Sequence, residues 1–165
     1  MSEQNKYDLN ERQDRQIRTY GKDACQKLNN SQVIVVGLSN NLGTEIVKNL
    51  VLGGVKHLFL CDNYKITEED INNGFYYTND SLNKNRAEYL KNKVQELNPY
   101  TNISLLDYNN LDESINKMDN TVLVLVNESK DISIKYNDMC RSRSNFKMVW
   151  IRSTGISGII FVYGG

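Results

Sequence analysis

The sequence predicts an α/β domain built on a doubly wound, mostly parallel sheet. Residues 32–62 have the layout of a strand, a helix and a second strand. Val33 to Val36 is an apolar, β-branched run typical of a fully buried strand. Thr44 to Leu52 has apolar residues at helical spacing, and Gly53-Gly54 ends that helix before a strand over Val55 to Leu60. Strands and helices continue to alternate along the chain, which favours parallel pairing.

The other elements follow from periodicity and from residues that end helices. Gln13 to Asn29 is predicted to form two short helices separated near Gly21. Further along, Asn98-Pro99 ends a helix because the residue before proline avoids helical conformation. The remaining predictions are a helical turn at 68–70, helices over 83–97, 111–118 and 132–143, and strands over 103–106, 121–126, 147–152 and 159–163, the last after a turn at Gly155 and Gly158.

The first strand-helix-strand unit has the arrangement of a Rossmann-type nucleotide site but not its glycines. Such a site uses G-x-G-x-x-G, in which the middle glycine lets the backbone approach phosphates. Here the loop from Gly37 to Gly43 lacks that glycine and is one residue longer. Asp62 follows the second strand, where this kind of unit places an acid that binds ribose. The sequence therefore predicts the architecture of a nucleotide-binding unit without its phosphate-binding loop.

Length, charge and cysteine content exclude several classes of function. The 165 residues suit one domain, and the formal net charge of +0 favours neither a general nucleic-acid surface nor a membrane surface. No apolar run approaches the ~20 residues of a membrane span, and the first residues lack the core of a signal peptide. The three cysteines are widely spaced, which predicts reduced thiols in an intracellular protein and no structural zinc site.

Several motifs, in this order, resemble the enzymes that activate ubiquitin-like proteins (E1 enzymes) and their bacterial adenylating relatives. The matching segments are Asp14 to Gly21, Gly43 to Lys56, Asn83 to Glu88 and Leu97 to Pro99. The resemblance implies a Rossmann-like, ThiF/MoeB-type adenylation fold for a single domain over residues 13–165, preceded by a flexible leader over residues 1–12. Because the chain ends directly after a strand, we expect the domain to be truncated at its C-terminus.

Within this family, eukaryotic enzymes pair an active adenylation half with a related inactive half, and this chain resembles the inactive one. The phosphate loop is replaced by Gly37 to Gly43. The Asn-Arg-Gln-Phe motif of the active half becomes Asn72 to Phe75, which removes its arginine, and a lysine on the next helix becomes Arg86. Val126 to Asp131 does not reproduce the Asp-Asn pair that positions magnesium and nucleotide. Four departures around one pocket predict a pseudo-adenylation domain.

The resemblance also implies how such a domain acts. The arginine of the family's Arg-Gln motif, here Arg15, crosses the dimer interface and contacts ATP phosphates in the partner's site. We therefore expect this chain to bind no cofactor and no metal, with Mg-ATP held by a large catalytic subunit. The other partner is a ubiquitin-like protein, and the expected location is the nucleus and cytoplasm. The neighbouring Arg12 and Arg18 are interpreted as solvated residues.

Among inactive halves, the sequence is most similar to the small subunits of SUMO-activating enzymes, through Ser129 to Cys140, Ile66 to Asp70 and Gln95 to Pro99. Leu52 to Lys56 suits the N-terminal half of ubiquitin-activating enzymes equally well, and Asp14 to Arg18 is shared with the regulatory subunit of NEDD8-activating enzymes. A self-sufficient bacterial-type adenylating homodimer and a dinucleotide-binding oxidoreductase are further alternatives. The altered phosphate loop disfavours both, since each must seat phosphates against the backbone.

Other residues that could carry chemistry receive structural interpretations. Asp62 is expected to be structural, and Lys84 and Arg86 to lie on a solvated helix face. His57, the only histidine, has no second histidine with which to bind a metal. The cysteines are interpreted as packing residues, with the thioester cysteine of the family belonging to a separate domain of the active partner; they are Cys25, Cys61 and Cys140.

Overall fold

A computed structural model describes residues 14–164, the side chain of Asn40 excepted. The predicted leader, including Arg12, lies outside these residues. The strands are β1 Gln32–Val36, β2 His57–Cys61, β3 Asn102–Leu106, β4 Thr121–Val126, β5 Phe146–Ser153 and β6 Gly158–Tyr163. The helices are α1 Asp14–Tyr20, α2 Lys22–Asn29, α3 Asn40–Gly53, α4 Glu68–Asn73, α5 Arg86–Gln95, α6 Leu111–Asn116 and α7 Lys130–Arg141, with 3-10 turns at Asn79–Ser81 and Tyr108–Asn110.

The six strands form one sheet in the order β3-β2-β1-β4-β5-β6. Strands β1 to β5 pair in parallel, and β6 pairs antiparallel with β5, so that Trp150 faces Phe161. The chain moves outward from β1 to β3 on one side and returns to add β4 on the other. This reversal between β1 and β4 is the topological switch point of a doubly wound sheet. The predicted fold class is confirmed.

Each face of the sheet carries its own hydrophobic core, because successive residues of a strand point to opposite faces. In β1, Val33 and Val35 pack with α3 and α5 on one face. Ile34 and Val36 pack with α6 and α7 on the other. Since β1 is buried on both faces, it is apolar from Val33 to Val36 and shows no alternation of polar and apolar residues.

Several predicted boundaries were wrong, and α3 matters most for the site. This helix begins at Asn40, four residues before the predicted start, so Gly43 lies inside it. Ser39 has extended backbone angles suited to the residue before a helix, and nothing between it and Thr44 breaks the helix. At its other end, Gly54 adopts the left-handed conformation predicted for a helix cap. The segment from Gly37 to Gly43 is therefore a short turn followed by the first turn of a helix.

The other boundaries differ for local reasons. The helix predicted from residue 83 begins at Arg86, because Asn83 has a positive φ of 65° and Asn85 caps the helix through a hydrogen bond from Glu88 N–H. The second strand begins at His57 and not at Val55, which lies buried just after the Gly54 cap. Helix α7 begins two residues early because Ser129 accepts a hydrogen bond from Ile132 N–H.

Two regions lie outside the part of the sheet that helices cover on both faces: the helix pair α1 and α2, and the edge strand β6. Helix α1 packs on α2, whose residues Asp23, Gln26 and Lys27 line a cleft with residues from the amino ends of β4 and β5. At the sheet edge, β6 exposes its side chains on both faces from Ile159 to Val162. No helix between residues 14 and 164 is both long enough and apolar enough to cross a membrane.

Candidate functional site

A small pocket lies at the switch point, beside the carboxyl ends of β1, β2 and β4, where open α/β sheets bind ligands. Its volume is about 100 Å³. Sites for ligands of drug or cofactor size usually measure ~300–1,000 Å³, so the space is small for a nucleotide. The lining residues are Gly37, Ser39, Cys61, Asp62, Tyr64, Arg86, Tyr108, Val126, Asn127 and Glu128.

Two glycines hold the turn after β1 tightly against its neighbours. Gly37 has a φ of 88°, and a Cβ there would lie 2.3 Å from the carbonyl oxygen of Val126. A Cβ on Gly43 would lie 2.4 Å from the carbonyl oxygen of Gly37. These glycines therefore allow a sharp turn and close packing of helix and strand, which are the structural roles of the outer glycines in nucleotide loops. Between them, Leu38 is fully buried in the core.

Asp62 binds the backbone of its own chain. Its Oδ2 accepts a hydrogen bond from Leu38 N–H at 2.8 Å, and its Oδ1 accepts one from Tyr64 N–H at 2.9 Å. Burial raises the pKa of this carboxyl above its ordinary value, while these two bonds and the charge of Arg86 oppose the rise. The loop amide of Leu38, which could face a phosphate in another protein, is thus bound to Asp62. This geometry agrees with the structural role expected of Asp62.

Arg86 is ion-paired and largely buried, so the prediction of a solvated helix face was wrong for it. Its Nε and Nη2 lie 3.0 and 2.7 Å from Oδ2 of Asp70, and its Nη1 lies 3.8 Å from Oδ2 of Asp62. The side chains of Arg86 and Asp70 are only 13% and 4% exposed. Asp70 is fixed in turn, because its side chain accepts hydrogen bonds from the N–H and hydroxyl of Thr67 in a capping box.

On the far side of the pocket, the turn after β4 is also bound internally. Tyr108 donates a hydrogen bond from its hydroxyl to Oε2 of Glu128 at 3.2 Å. Burial raises the pKa of Glu128, and the Asp62 charge adds to the rise while the Tyr108 bond opposes it. Asn127, with a φ of 57°, accepts a hydrogen bond from Ser153 N–H. Residues 14–164 contain no group of three or more histidine, cysteine or acidic side chains arranged to hold a metal.

Arg15 lies in a different part of the molecule. It is exposed on α1, and no acidic side chain between residues 14 and 164 forms an ion pair with it. Its neighbour Arg18 pairs with Asp14 at 2.8 Å. Helix α1 packs on α2, which borders the cleft at the amino ends of β4 and β5. The pocket lies at the carboxyl ends, so the structure does not bring Arg15 and this pocket together.

The remaining predicted residues have structural surroundings. Lys84 is exposed, as expected, and His57 begins β2. The three cysteines are buried; burial raises the pKa of Cys61 to about 12 and that of Cys140 to about 11, so both thiols are poor nucleophiles. Cys25 is buried as well, which suits a packing residue.

Sequence reasoning missed Asp70, Tyr108 and Glu128 as parts of the site. A signal was present for Asp70, because Thr67-x-x-Asp70 is the spacing of a capping box. Tyr108 and Glu128 come from segments 20 residues apart in the chain, and their contact could be known only from the packed structure.

A doubly wound, mostly parallel sheet with a pocket at its switch point defines a Rossmann-like α/β domain. A family model described as the ThiF family matches residues 13–158, and the chain belongs to this family. It is 34% identical over 156 residues to SUMO-activating enzyme subunit 1 of Xenopus tropicalis, covering 92% of this chain and 42% of that protein. It is also 34% identical to ubiquitin-activating enzyme E1 1 of Triticum aestivum, covering 89% of this chain and 14% of that protein. The resemblance to E1 enzymes is thus confirmed.

Solved structures show the same fold at low identity. The structure of E. coli MccB with MccA matches with a TM-score of 0.77 at 18% identity, covering 93% of this chain and 49% of that one. E. coli TcdA, a tRNA N6-threonylcarbamoyladenosine dehydratase, matches with a TM-score of 0.71 at 16% identity, covering 84% and 59%. The ThiF/MoeB-type adenylation fold expected from the sequence is confirmed. The chain spans less than half the length of the SUMO-activating relatives.

Proposed function

We propose that this chain is the non-catalytic adenylation domain of a heterodimeric SUMO-activating enzyme. In this role it completes the ATP site of a larger catalytic subunit, and it binds neither nucleotide nor metal itself. The relatives named SUMO-activating enzyme subunit 1 support the choice of SUMO as the ubiquitin-like protein. The nucleus and cytoplasm, which the family resemblance implies, are part of the proposal.

The ion-paired pocket is the observation that carries the non-catalytic role. A nucleotide site needs cations and backbone N–H groups that are free to meet phosphates. Here the guanidinium of Arg86 is bound to Asp70, and the N–H of Leu38 is bound to Asp62. A phosphate entering the pocket would have to displace buried ion pairs, and doing so would leave carboxylates without their cation.

The placement of Arg15 supports a role in another subunit. Its guanidinium is exposed on α1, away from the pocket of its own domain. In the proposed reaction, the C-terminal carboxylate of the ubiquitin-like protein attacks the α-phosphate of ATP. A carboxyl–phosphate bond forms, the α–β phosphoanhydride bond breaks, and pyrophosphate leaves. Arg15 stabilises the negative charge that spreads over the phosphates, as a guanidinium does in phosphoryl-transfer sites.

The uncovered face of the sheet edge is the proposed contact with the catalytic subunit. Val149 and Ile151 of β5 lie on the face that carries α3 and α5, and Val162 and Ile160 of β6 pair with them. Ile160 and Val162 are 70% and 63% exposed. An apolar strip of this kind, continuing across two strands, marks an interaction surface. A related domain could bury it in a pseudo-twofold dimer.

The test is ATP–pyrophosphate exchange by the complex with a catalytic subunit and SUMO. We expect Arg15→Ala to lower exchange by about 10² or more, because a lost transition-state charge contact costs a few kcal/mol. Arg18→Ala is the matched control, since it removes a cation of the same helix that is already paired with Asp14. Equal exchange by the wild type and Arg15→Ala would remove Arg15 from the mechanism.

Two measurements separate the alternatives. Calorimetry of this chain with Mg-ATP should show no heat of binding, and micromolar binding would instead favour a self-sufficient adenylating homodimer like the bacterial relatives. Exchange that responds to ubiquitin or NEDD8, and not to SUMO, would assign the chain to one of the other E1 groups. The similarity to the wheat ubiquitin-activating enzyme makes that comparison necessary.

A further inference from the structure

A groove separate from the switch-point pocket lies between helix α7 and strands β5 and β6. Its volume is about 170 Å³, and none of its lining residues lines the pocket described above. It lies on the face of the sheet that carries α6 and α7, opposite the face proposed to meet the catalytic subunit. The lining residues are Lys130, Ser133, Ile134, Asn137, Met148, Trp150 and Phe161.

The interior of the groove is apolar and fixed in shape. Met148 is buried at its base. The indole N–H of Trp150 donates to the carbonyl oxygen of Glu128 at 3.1 Å, which holds the ring in place. Ile134 and Phe161, from the two sides, remain 47% and 40% exposed. The groove thus offers a preformed apolar surface that an incoming side chain could cover.

Positive charge lies at one end of the groove lining, at Lys130, and one helical turn beyond Asn137 of that lining, at Arg141. Lys130, Ile134, Asn137 and Arg141 are spaced by four, three and four residues, so they form one stripe along α7. No acidic side chain between residues 14 and 164 pairs with Lys130 or Arg141, and the guanidinium of Arg141 lies 5.4 Å from the ring centre of Tyr163.

A third cation, Arg152, lies on the same face of the sheet as the groove. Arg152 is exposed on β5, on the same face as Trp150 and opposite Ile159 of β6. The acids of α7, Asp131 and Asp138, lie about 60–100° around the helix from the stripe. Anionic groups are therefore favoured at the ends of the groove and apolar groups at its centre.

An unsatisfied amide lies between the two charged ends. Oδ1 of Asn137 is buried, with no hydrogen-bond partner among the described residues. A buried carbonyl oxygen that accepts no hydrogen bond destabilises the fold, and a donor that reaches it relieves this cost. The side-chain amide carries both an acceptor and two donors, so a peptide group, which also has one of each, is a matching partner. Asn137 lines the groove, and rotation about its Cβ–Cγ bond exchanges the positions of its amide oxygen and nitrogen.

We propose that this groove binds an extended peptide segment of another protein, with apolar residues at its centre and acidic residues at its ends. Lys130 and Arg141 are 11 residues apart, or about 16 Å along the helix. An extended chain covers that distance in about five residues. The segment would place its acids near Lys130 and Arg141, its apolar side chains against Trp150, and one peptide group on Asn137. This inference does not depend on the proposed function.

The test uses the only tryptophan of the chain as its reporter. Trp150 lines the groove, so its fluorescence should change on titration with a blocked six-residue peptide that has glutamate at both ends and isoleucine and valine between them. We expect saturable binding that weakens with added salt. Lys130→Glu and Phe161→Ser should each weaken binding about tenfold. Lys56→Glu, an exposed cation before β2, is the matched control and should bind as the wild type does.

Three outcomes would overturn the proposal. They are no saturable change up to millimolar peptide, equal binding of a peptide with lysine at both ends, and equal weakening by Lys56→Glu. A fluorescence change that depends on the concentration of the chain without peptide would instead identify a second copy as the occupant. Circular dichroism of each variant separates lost binding from lost folding.

Discussion

Arg86 is the side chain on which the order of the switch-point pocket depends. It comes from the start of α5, where a helix N-terminus would ordinarily favour an anion. Its guanidinium reaches instead to two carboxylates from neighbouring segments, Asp70 and Asp62. The charges are buried together, and the three groups fix the start of α5 against α4 and the end of β2.

We expect Arg86→Ala to destabilise the folded chain by about 3–5 kcal/mol, because it leaves buried carboxylates without a cation. Urea unfolding followed by circular dichroism measures the change. Lys84→Ala is the matched control. Lys84 is exposed and its Nζ lies 3.9 Å from Oδ2 of the exposed Asp80, so this substitution should change the free energy of unfolding little. Similar midpoints for both variants would contradict the structural role of Arg86.

Glu128 should make the stability of the fold depend on pH. Because burial raises its pKa above 4.5, the unfolded chain releases this proton at lower pH than the folded chain does. Stability is therefore lost as pH rises from about 4.5 through the raised value. Glu128→Gln removes this loss and can still accept the Tyr108 hydrogen bond. In thermal melting, the melting temperature of the variant should rise relative to that of the wild type between pH 4 and pH 7.5. A difference in melting temperature that stays constant over this range would contradict the raised pKa of Glu128.

At this scale the sequence predicted the core better than the site. Cys61 and Asp62 were recognisable because they lie at the end of the apolar segment of β2. Arg86 was misjudged because a cation at a helix start looks solvated unless its partner is known. That partner, Asp70, lies 16 residues earlier, and only the fold brings the two together.

At the scale of elements, the junction between β1 and α3 shows how glycines set a boundary. Gly43 lies in the first turn of α3, against the carbonyl oxygen of Gly37. We expect Gly43→Ala to destabilise the fold by about 1–3 kcal/mol, because the added methyl group must displace the backbone. Chemical unfolding measures the cost.

The same helix provides the control. Gly53 is the last residue of α3, and a Cβ there would contact nothing within 4 Å. Gly53→Ala should leave stability unchanged or raise it by up to ~1 kcal/mol, since alanine has the higher helix propensity. If both variants lost equal stability, close packing at Gly43 would not be the cause.

Most elements could be predicted because their apolar periodicity is strong, while their ends could not. The early start of α3 depends on the tight turn at Gly37. That turn lies against the carbonyl oxygen of Val126, a contact that the local sequence does not reveal. The late start of α5 depends on the left-handed conformation of Asn83, which propensity alone does not dictate. Parallel pairing of most strands, by contrast, followed from the alternation of strands and helices.

At the scale of the whole molecule, the exposed strip on β5 and β6 should control assembly. Ile160→Asp places a charge in the proposed interface, and we expect it to weaken association with the catalytic subunit at least about tenfold. Sedimentation of the mixed subunits measures this. Ser104→Asp, on the opposite edge strand β3, is the matched control. Unchanged association of Ile160→Asp would move the interface elsewhere.

The internal ion pairs of the switch-point pocket also bear on how the protein responds to the energy supply of the cell. A ligand that binds only the native form raises its unfolding free energy in proportion to the logarithm of ligand concentration. With Arg86 held by Asp70, this domain on its own should gain no stability from abundant ATP. The melting temperature of the chain without its partner should be the same with and without millimolar nucleotide, and any dependence on ATP should appear only in the complex with the catalytic subunit.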